Sequence, residues 1–408
     1  MARSSGRSSI PQPFVQKRSI GPWKIVLWIG LAVLFLVLAF FGWGGWYYSN
    51  EINSQVFEVH PPEAPEFDIT LDRGEAEAVV LRADPDATNL TEDGLFGLLT
   101  ESDATLIDGI ISAETSGGVS TVRRSRIPDE PIPAPGSAVR LDAFVWPGDP
   151  QTALGLAFEE IELEIEGGQA GAWYLEGTSD TWMIFVHGKG APRNEALRLL
   201  PLAVERGYHS LIIDYRNDPG APRDPSGTYQ YGLTEWNDVA AAARYAKTAG
   251  GQDIIVVGYS MGGSNVMSYL LQSPLRNQTV AAILDSPVLD VEASVDHGAE
   301  QETLPLTSIS LPQSLISTAK WLAGWRFDVD WDALNYVDRW RDLHTPTLII
   351  QGTADDSVPV EPAAELSRIR PDIVTLVAPP GVGHVLAWNA DPEGYESLVN
   401  AFLDDLGV

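Results

Sequence analysis

Ile254-Ile255-Val256-Val257-Gly258-Tyr259-Ser260-Met261-Gly262 is the stretch that decides the fold. Four apolar residues lead into G-x-S-x-G, and a helix-like segment, Asn265 to Leu271, follows. In this strand, sharp turn, helix context the serine is held in a strained turn with its hydroxyl exposed above a sheet. The flanking glycines keep side chains out of the contact between strand and helix.

A serine hydroxyl is a weak nucleophile at neutral pH. It needs a histidine to take its proton, a carboxylate to orient that histidine and donors for the oxyanion. In proteins built on such a turn the partners arrive in the order Ser, Asp or Glu, His. The chain has six histidines. His60 stands beside a proline pair, His187 lies upstream after Met183-Ile184-Phe185-Val186, and His209 and His344 precede apolar strands. His297 comes before a Trp-rich segment. His384 alone follows Ser260 on a Gly-rich loop leaving a strand, Pro380-Gly381-Val382-Gly383-His384, and is the expected base. The acid should leave the preceding strand, Thr347-Leu348-Ile349-Ile350, on Gly352-Thr353-Ala354-Asp355-Asp356. Asp355 is favoured, with Asp356 in the turn-capping role common for Asp. Asp285, after Ala281-Ala282-Ile283-Leu284, is a competitor.

The oxyanion requires two backbone N–H groups. Met261 supplies one at the start of a helix, where the dipole also favours negative charge. The other is assigned to Lys189 in the loop His187-Gly188-Lys189-Gly190. The Lys189 side chain is one of three lysines after residue 24. A solvated loop lysine is its plainer reading, and a grip on an anionic substrate group the sharper one.

Residues from about 158 to 408 resemble the α/β-hydrolase superfamily, near its serine aminopeptidase-like and esterase-like branch. The resemblance rests on His187-Gly188, Asp214-Tyr215-Arg216, Gly258-Tyr259-Ser260-Met261-Gly262-Gly263, Gly352-Thr353-Ala354-Asp355 and Gly383-His384 in that order. It places the family's nucleophile on Ser260, its acid on Asp355 and its base on His384. The Gly-rich HGGG variant of some esterases is absent.

The 408 residues can hold one large domain with additions, and there is no cysteine. Disulfides, a thiolate metal site and a cysteine nucleophile are thereby excluded. No histidine–carboxylate cluster has zinc spacing and no phosphate-binding glycine motif is present, so neither metal nor cofactor is expected. Net charge is −30, which argues against nucleic acid as a partner.

That charge is unevenly spread. Arg3, Arg7, Lys17, Arg18 and Lys24 precede residue 25 without an acid, and Ile25 to Tyr48 carries no charge. As a helix that run is ~36 Å long, enough to cross a bilayer core. Trp43, Trp46, Tyr47 and Tyr48 suit the interfacial aromatic belt. A cleaved signal peptide would have a shorter apolar region and a small-residue cleavage site. The expectation is an uncleaved anchor over 21–48, with a cytoplasmic basic tail over 1–20 and the catalytic domain on the extracytoplasmic side.

Residues 49–68, with Pro61, Pro62 and Pro65, read as an extended juxtamembrane spacer. Residues 69–150 read as a small β-rich and then irregular region, Pro-rich from 128. From 151 to 408 the pattern is regular. Glu160-Ile161-Glu162-Leu163-Glu164-Ile165-Glu166 alternates as a half-exposed strand. Apolar strands then alternate with helical segments at 182–187, 210–215, 253–258, 280–285, 346–351 and 373–378. This is a mostly parallel sheet covered by helices on both faces. A cap is expected at about 292–343, carrying Trp321, Trp325, Phe327, Trp331, Tyr336 and Trp340. These aromatics either recognise an apolar substrate group or, for most of them, pack the cap down.

The sequence therefore reads as a membrane-anchored, extracytoplasmic serine hydrolase cleaving an ester or amide bond through a Ser-Asp-His triad and an acyl-enzyme, with the ester favoured. Its partners are the membrane and a small-molecule, lipid or peptide acyl substrate. A peptidase or an envelope acyltransferase is the alternative within the enzyme class. A non-catalytic hydrolase fold used for binding is the rival outside it.

Overall fold

The computed structural model describes residues 21–61 and 64–408, so the basic tail over 1–20 lies outside the described residues. The apolar run forms one helix, Pro22–Ile52, which passes directly into a π-helical segment, Asn53–Phe57. The helix thus extends beyond the expected anchor into the segment read as spacer. No proline interrupts the chain between Pro22 and Pro61, and Phe57 is buried in the main core against Tyr231 and Trp331, with ring centroids 5.8 and 6.1 Å away. From Trp23 to Leu38 the large side chains are exposed, whereas Gly44, Gly45 and Ser49 are buried.

Six antiparallel strands follow: β1 (Ile69–Gly74), β2 (Ala78–Ala83), β3 (Phe96–Leu99), β4 (Ala104–Ser116), β5 (Val119–Arg126) and β6 (Ala138–Asp142). They close in the order β1-β2-β5-β4-β3-β6, with Ile69 opposite Val139 and Thr70 opposite Ala138. Closure removes both free edges of the sheet. Leu71, Val79, Leu81, Phe96, Leu98 and Val122 fill the interior. The segment read as irregular from 128 thus contains the strand that completes the barrel, whose long-range pairing leaves no local signal. It ends in a short helix, Pro150–Leu154, where the Asp149 carboxylate accepts from the Thr152 amide at 2.8 Å.

The second sheet has eight strands: β7 (Glu159–Ile165), β8 (Gly168–Leu175), β9 (Thr181–Val186), β10 (His209–Ile213), β11 (Asp253–Tyr259), β12 (Thr279–Asp285), β13 (Thr347–Ile350) and β14 (Val374–Val377). Their order is β14-β13-β12-β11-β9-β10-β8-β7. From β14 to β10 all pairs are parallel; β10–β8 and β8–β7 are antiparallel. Apolar clusters lie on both faces, as a parallel sheet covered by helices requires. This is the α/β-hydrolase fold.

The cap between β12 and β13 consists chiefly of two helices, Val291–Gln301 and Gln313–Phe327. The second packs on the N-terminal helix. An added Cβ at Gly45 would stand 2.8 Å from Thr318 Cγ2, and one at Gly44 would stand 3.1 Å from Leu315 Cδ1. The absence of side chains there is what lets the two helices meet. Arg326 completes the contact, donating to Asn50 Oδ1 at 2.8 Å and to the Trp46 carbonyl at 3.1 Å.

Candidate active site

β11 ends at Tyr259, and the helix Met261–Gln272 starts two residues later. Ser260 makes the turn at φ 50°, ψ −118°, a strained conformation for a residue with a side chain. Its amide donates to the Asp285 carbonyl at 2.9 Å and its carbonyl accepts from Gly263 at 2.9 Å, so the turn is held on both sides. A Cβ at Gly258 would lie 2.7 Å from the Gly262 carbonyl oxygen, and one at Gly262 would collide with the Val186 and His187 carbonyls. Only glycine permits that approach of strand and helix.

His384 reaches Ser260 from the loop after β14. Its Nε2 lies 2.9 Å from Ser260 Oγ and its Nδ1 lies 2.8 Å from Asp355 Oδ2. A carboxylate can only accept, so Nδ1 carries the proton and Nε2 is free to accept from the serine. Burial alone would push the His384 imidazole down. The hydrogen bond and charge of Asp355 outweigh it, and the net shift is upward from 6.5.

Asp355 is buried and fixed from several directions. Its Oδ1 accepts from the Ser357 and Val358 amides at 2.9 and 2.8 Å, and its Oδ2 also accepts from Gln351 Nε2 at 2.8 Å. Asp356 is exposed, and among the described residues its carboxylate accepts only from the Ser357 hydroxyl, at 3.1 Å. Asp285 is buried beneath the turn, and burial raises its carboxyl to about 6. Its side chain makes no hydrogen bond to His384. Of the three acids considered from sequence, the structure brings only Asp355 to the histidine.

On the other side of Ser260 lies the loop after β9. A Cβ at Gly188 would be 3.3 Å from Ser260 Cβ. The Gly188 amide is already engaged, donating to the buried Glu195 carboxylate at 2.7 Å. Among the described residues, the Lys189 and Met261 amides make no hydrogen bond to a protein acceptor. The Lys189 side chain turns to the N-terminal helix. Its Nζ donates to the Gln55 and Val56 carbonyls at the end of the N-terminal helix, and burial lowers its pKa.

His187 is locked beneath this loop. Its Nε2 lies 3.0 Å from Asp218 Oδ2 and its Nδ1 lies 2.9 Å from the Gly188 carbonyl. Burial disfavours its charge, but Asp218 outweighs that and raises the pKa to about 9. His187, Asp214 and Asp218 have ligand atoms within 4.8 Å of one another. The cluster is occupied by its own contacts, since Asp214 also pairs with Arg193 at 3.3 Å and Asp218 accepts from the Tyr215 amide at 2.7 Å.

Ser260 and His384 open on a cavity of about 500 Å³. Three parts of the chain far apart in sequence wall it: Gln55 and Val56 from the N-terminal helix, Ala143 and Phe144 after the barrel, and Val291, Ser294 and Val295 from the cap. None of the six cap aromatics lines it. Tyr336 is buried, Trp331 and Trp340 are half-buried against the core, and Trp321 and Trp325 are exposed. Sequence reasoning missed the first two wall segments. Their only signals were the lack of a helix breaker before Pro61 and the apolar character of Phe144.

The barrel also holds the histidine loop. Leu386 inserts into the barrel core, and Asn389 Nδ2 donates to the Leu95 and Ala143 carbonyls at 2.8 and 2.9 Å. Arg198, buried, ties the Val385 carbonyl and Asn389 Oδ1 together at 2.8 and 2.9 Å.

Residues 183–398, just over half of the chain, match the model of the alpha/beta hydrolase family, and the chain belongs to that family. It is 26% identical over 236 residues to an uncharacterized protein of Mycobacterium tuberculosis, Rv2307c, covering 56% of this chain and 73% of that one. It is 36% identical over 74 residues to a UPF0613 protein of Schizosaccharomyces pombe, covering 17% and 23% of the two chains. Among solved structures, the Pyrococcus furiosus esterase Pf2001 superposes with a TM-score of 0.51 at 21% identity, over 64% of this chain and 96% of that one. At that identity the likeness speaks for the shared fold.

Proposed function

We propose that this protein is a serine hydrolase that cleaves an ester through an acyl-enzyme. The observation that carries this reading is the unbroken hydrogen-bonded series Ser260, His384, Asp355 at the edge of an open cavity. His384 takes the Ser260 proton as Oγ attacks the carbonyl carbon. The amides of Lys189 and Met261 face the developing oxyanion, and His384 returns the proton to the leaving alcohol. Water then attacks the acyl-enzyme, with His384 again as base, releasing the acid and regenerating Ser260.

The N-terminal helix acts in this reading as a retained membrane anchor. Its exposed apolar side chains from Trp23 to Leu38 support insertion. The contacts of Gly44, Gly45 and Ser49 with the cap, and of Val56 with the cavity, support retention after export. The cations before it orient the catalytic domain outward.

The test is labelling with a fluorophosphonate, followed by a panel of p-nitrophenyl esters and aminoacyl amides. The label should map to Ser260, and Ser260→Ala should lose roughly 10⁴–10⁶-fold in rate. Label on another serine, with Ser260→Ala still active, would sink the assignment.

A further inference from the structure

A second cavity of about 450 Å³ opens beside the first. The two share Gln55, Val56, Ser294, Val295 and Ser357, so they adjoin across these side chains and together mark out a path. The passage runs between the N-terminal helix and the cap, from Ser260 towards Tyr47 and Tyr48. Tyr48 and Val56 are separated by ~12 Å of helical rise. The distal lining includes an aliphatic set, Ala299, Leu311, Leu315, Ile316 and Ala319 from the cap and Ile52 from the helix. Its acids, Glu51, Glu302 and Asp356, are not matched by any basic side chain along this stretch.

The position of the distal mouth is informative. Leu304, Leu311 and Leu315 pack with Phe41 and Tyr48, at the level where the uncharged run of the helix ends. Beside them Leu306 is fully exposed and Ile309 is 60% exposed. Further along the same cap, Trp321 and Trp325 are 68% and 75% exposed. Apolar side chains standing out next to a membrane-spanning segment match a surface that meets lipid rather than water.

We infer that the substrate is a long-chain lipid ester drawn directly from the bilayer, its hydrocarbon chain passing between the N-terminal helix and the cap to place the carbonyl at Ser260. The inference rests on the serine hydrolase and anchor readings above. It accounts for an apolar passage whose mouth lies beside the helix, and for cap aromatics turned outward. The chain never crosses water, so its transfer from lipid to protein costs little.

The test uses the full-length protein in phosphatidylcholine vesicles with two substrates, soluble p-nitrophenyl butyrate and vesicle-borne p-nitrophenyl palmitate. Ala299→Trp fills the passage away from Ser260. It should lower kcat/KM for palmitate by about tenfold or more, the scale of losing apolar pocket contacts, and leave butyrate nearly unchanged. The exposed pair Leu306→Asp/Ile309→Asp, which threatens no core packing, should lower palmitate hydrolysis selectively as well. Equal loss on both esters in the exposed pair, or no loss on palmitate in either variant, would overturn the lipid passage while butyrate hydrolysis by the wild type upholds the site. Hydrolysis of neither ester by the wild type, without fluorophosphonate labelling, would overturn the site reading and this inference with it.

Discussion

The Lys189 ammonium donates to the Val56 carbonyl at 3.4 Å, joining the loop beside Ser260 to the end of the N-terminal helix. The same nitrogen donates to the Gln55 carbonyl. In the proposed reading the amide and side chain of one residue have separate tasks, the amide serving the oxyanion while the ammonium holds the end of the helix that walls the cavity.

Lys189→Met should keep the amide and remove the tether. The partly buried Val56 carbonyl then loses its donor, at a cost of about 1–3 kcal/mol if water does not replace it, while the exposed Gln55 carbonyl turns to water. The expected outcome is a lower Tm and a raised KM for small esters, with fluorophosphonate still reacting at Ser260. Unchanged Tm and KM would show that the tether is idle.

Asp355 and Asp356 should separate cleanly. Asp355→Asn leaves the shape but removes the charge that holds Nδ1–H, and should lower kcat by about 10³–10⁴-fold. Asp356→Asn, on an exposed side chain, should change kcat by less than about twofold, within the range of surface substitutions. The reverse ranking would transfer the acid role, and mild effects of both would direct attention to Asp285.

The upward shift of His384 fixes the sign of the acid limb. The base must be neutral, so kcat/KM should rise with pH through an inflection above the ordinary 6.5. In Asp355→Asn the raising partner is gone and burial remains, so the inflection of the residual activity should move to lower pH. An unmoved limb would assign it to another group.

Phe57→Ala should destabilise by roughly 3–5 kcal/mol, because it empties a buried site between Tyr231 and Trp331. A chain beginning at residue 60 should be worse than one beginning at residue 50, since the latter retains Gln55, Val56 and Phe57. Chemical denaturation of the soluble pair measures the difference. Equal stabilities would mean that the helix end is dispensable to the fold.

Asn389→Ala should uncouple the barrel from the histidine loop. It leaves the Leu95 and Ala143 carbonyls and one Arg198 donor unpartnered. The expected result is a fall in kcat that exceeds any change in KM, together with faster amide exchange in residues 383–390. A purely structural role would lower Tm without altering kcat of the folded fraction.

Ser260, Asp355 and His384 were legible because each follows its own apolar strand, and strand order dictates which loops meet at one edge of a parallel sheet. The alternation at 160–166 likewise marks β7 directly. Gln55, Val56, Ala143 and Phe144 were not legible, since they lie in segments without periodicity and reach the cavity only through tertiary packing. The barrel showed its short apolar runs but not its closure. The Ile69–Val139 pairing spans most of the region and is specified by the fit of the interior rather than by a local motif. The two cap glycine contacts were equally silent, because Gly44 and Gly45 look like ordinary membrane-helix residues until Leu315 and Thr318 are placed against them.

The continuity of the helix from Pro22 to Phe57 has a mechanical side. Val56 lies ~18 Å along the axis from Gly44, so one rod is held at two separated places, by the cap at its glycines and by the Phe57 and Lys189 contacts at its end. Membrane helices adjust their tilt to bilayer thickness. With the helix anchored as proposed, a change of tilt loads both holds at once, and turnover of one soluble ester across bilayers of graded acyl length would read that load as a gauge reads strain.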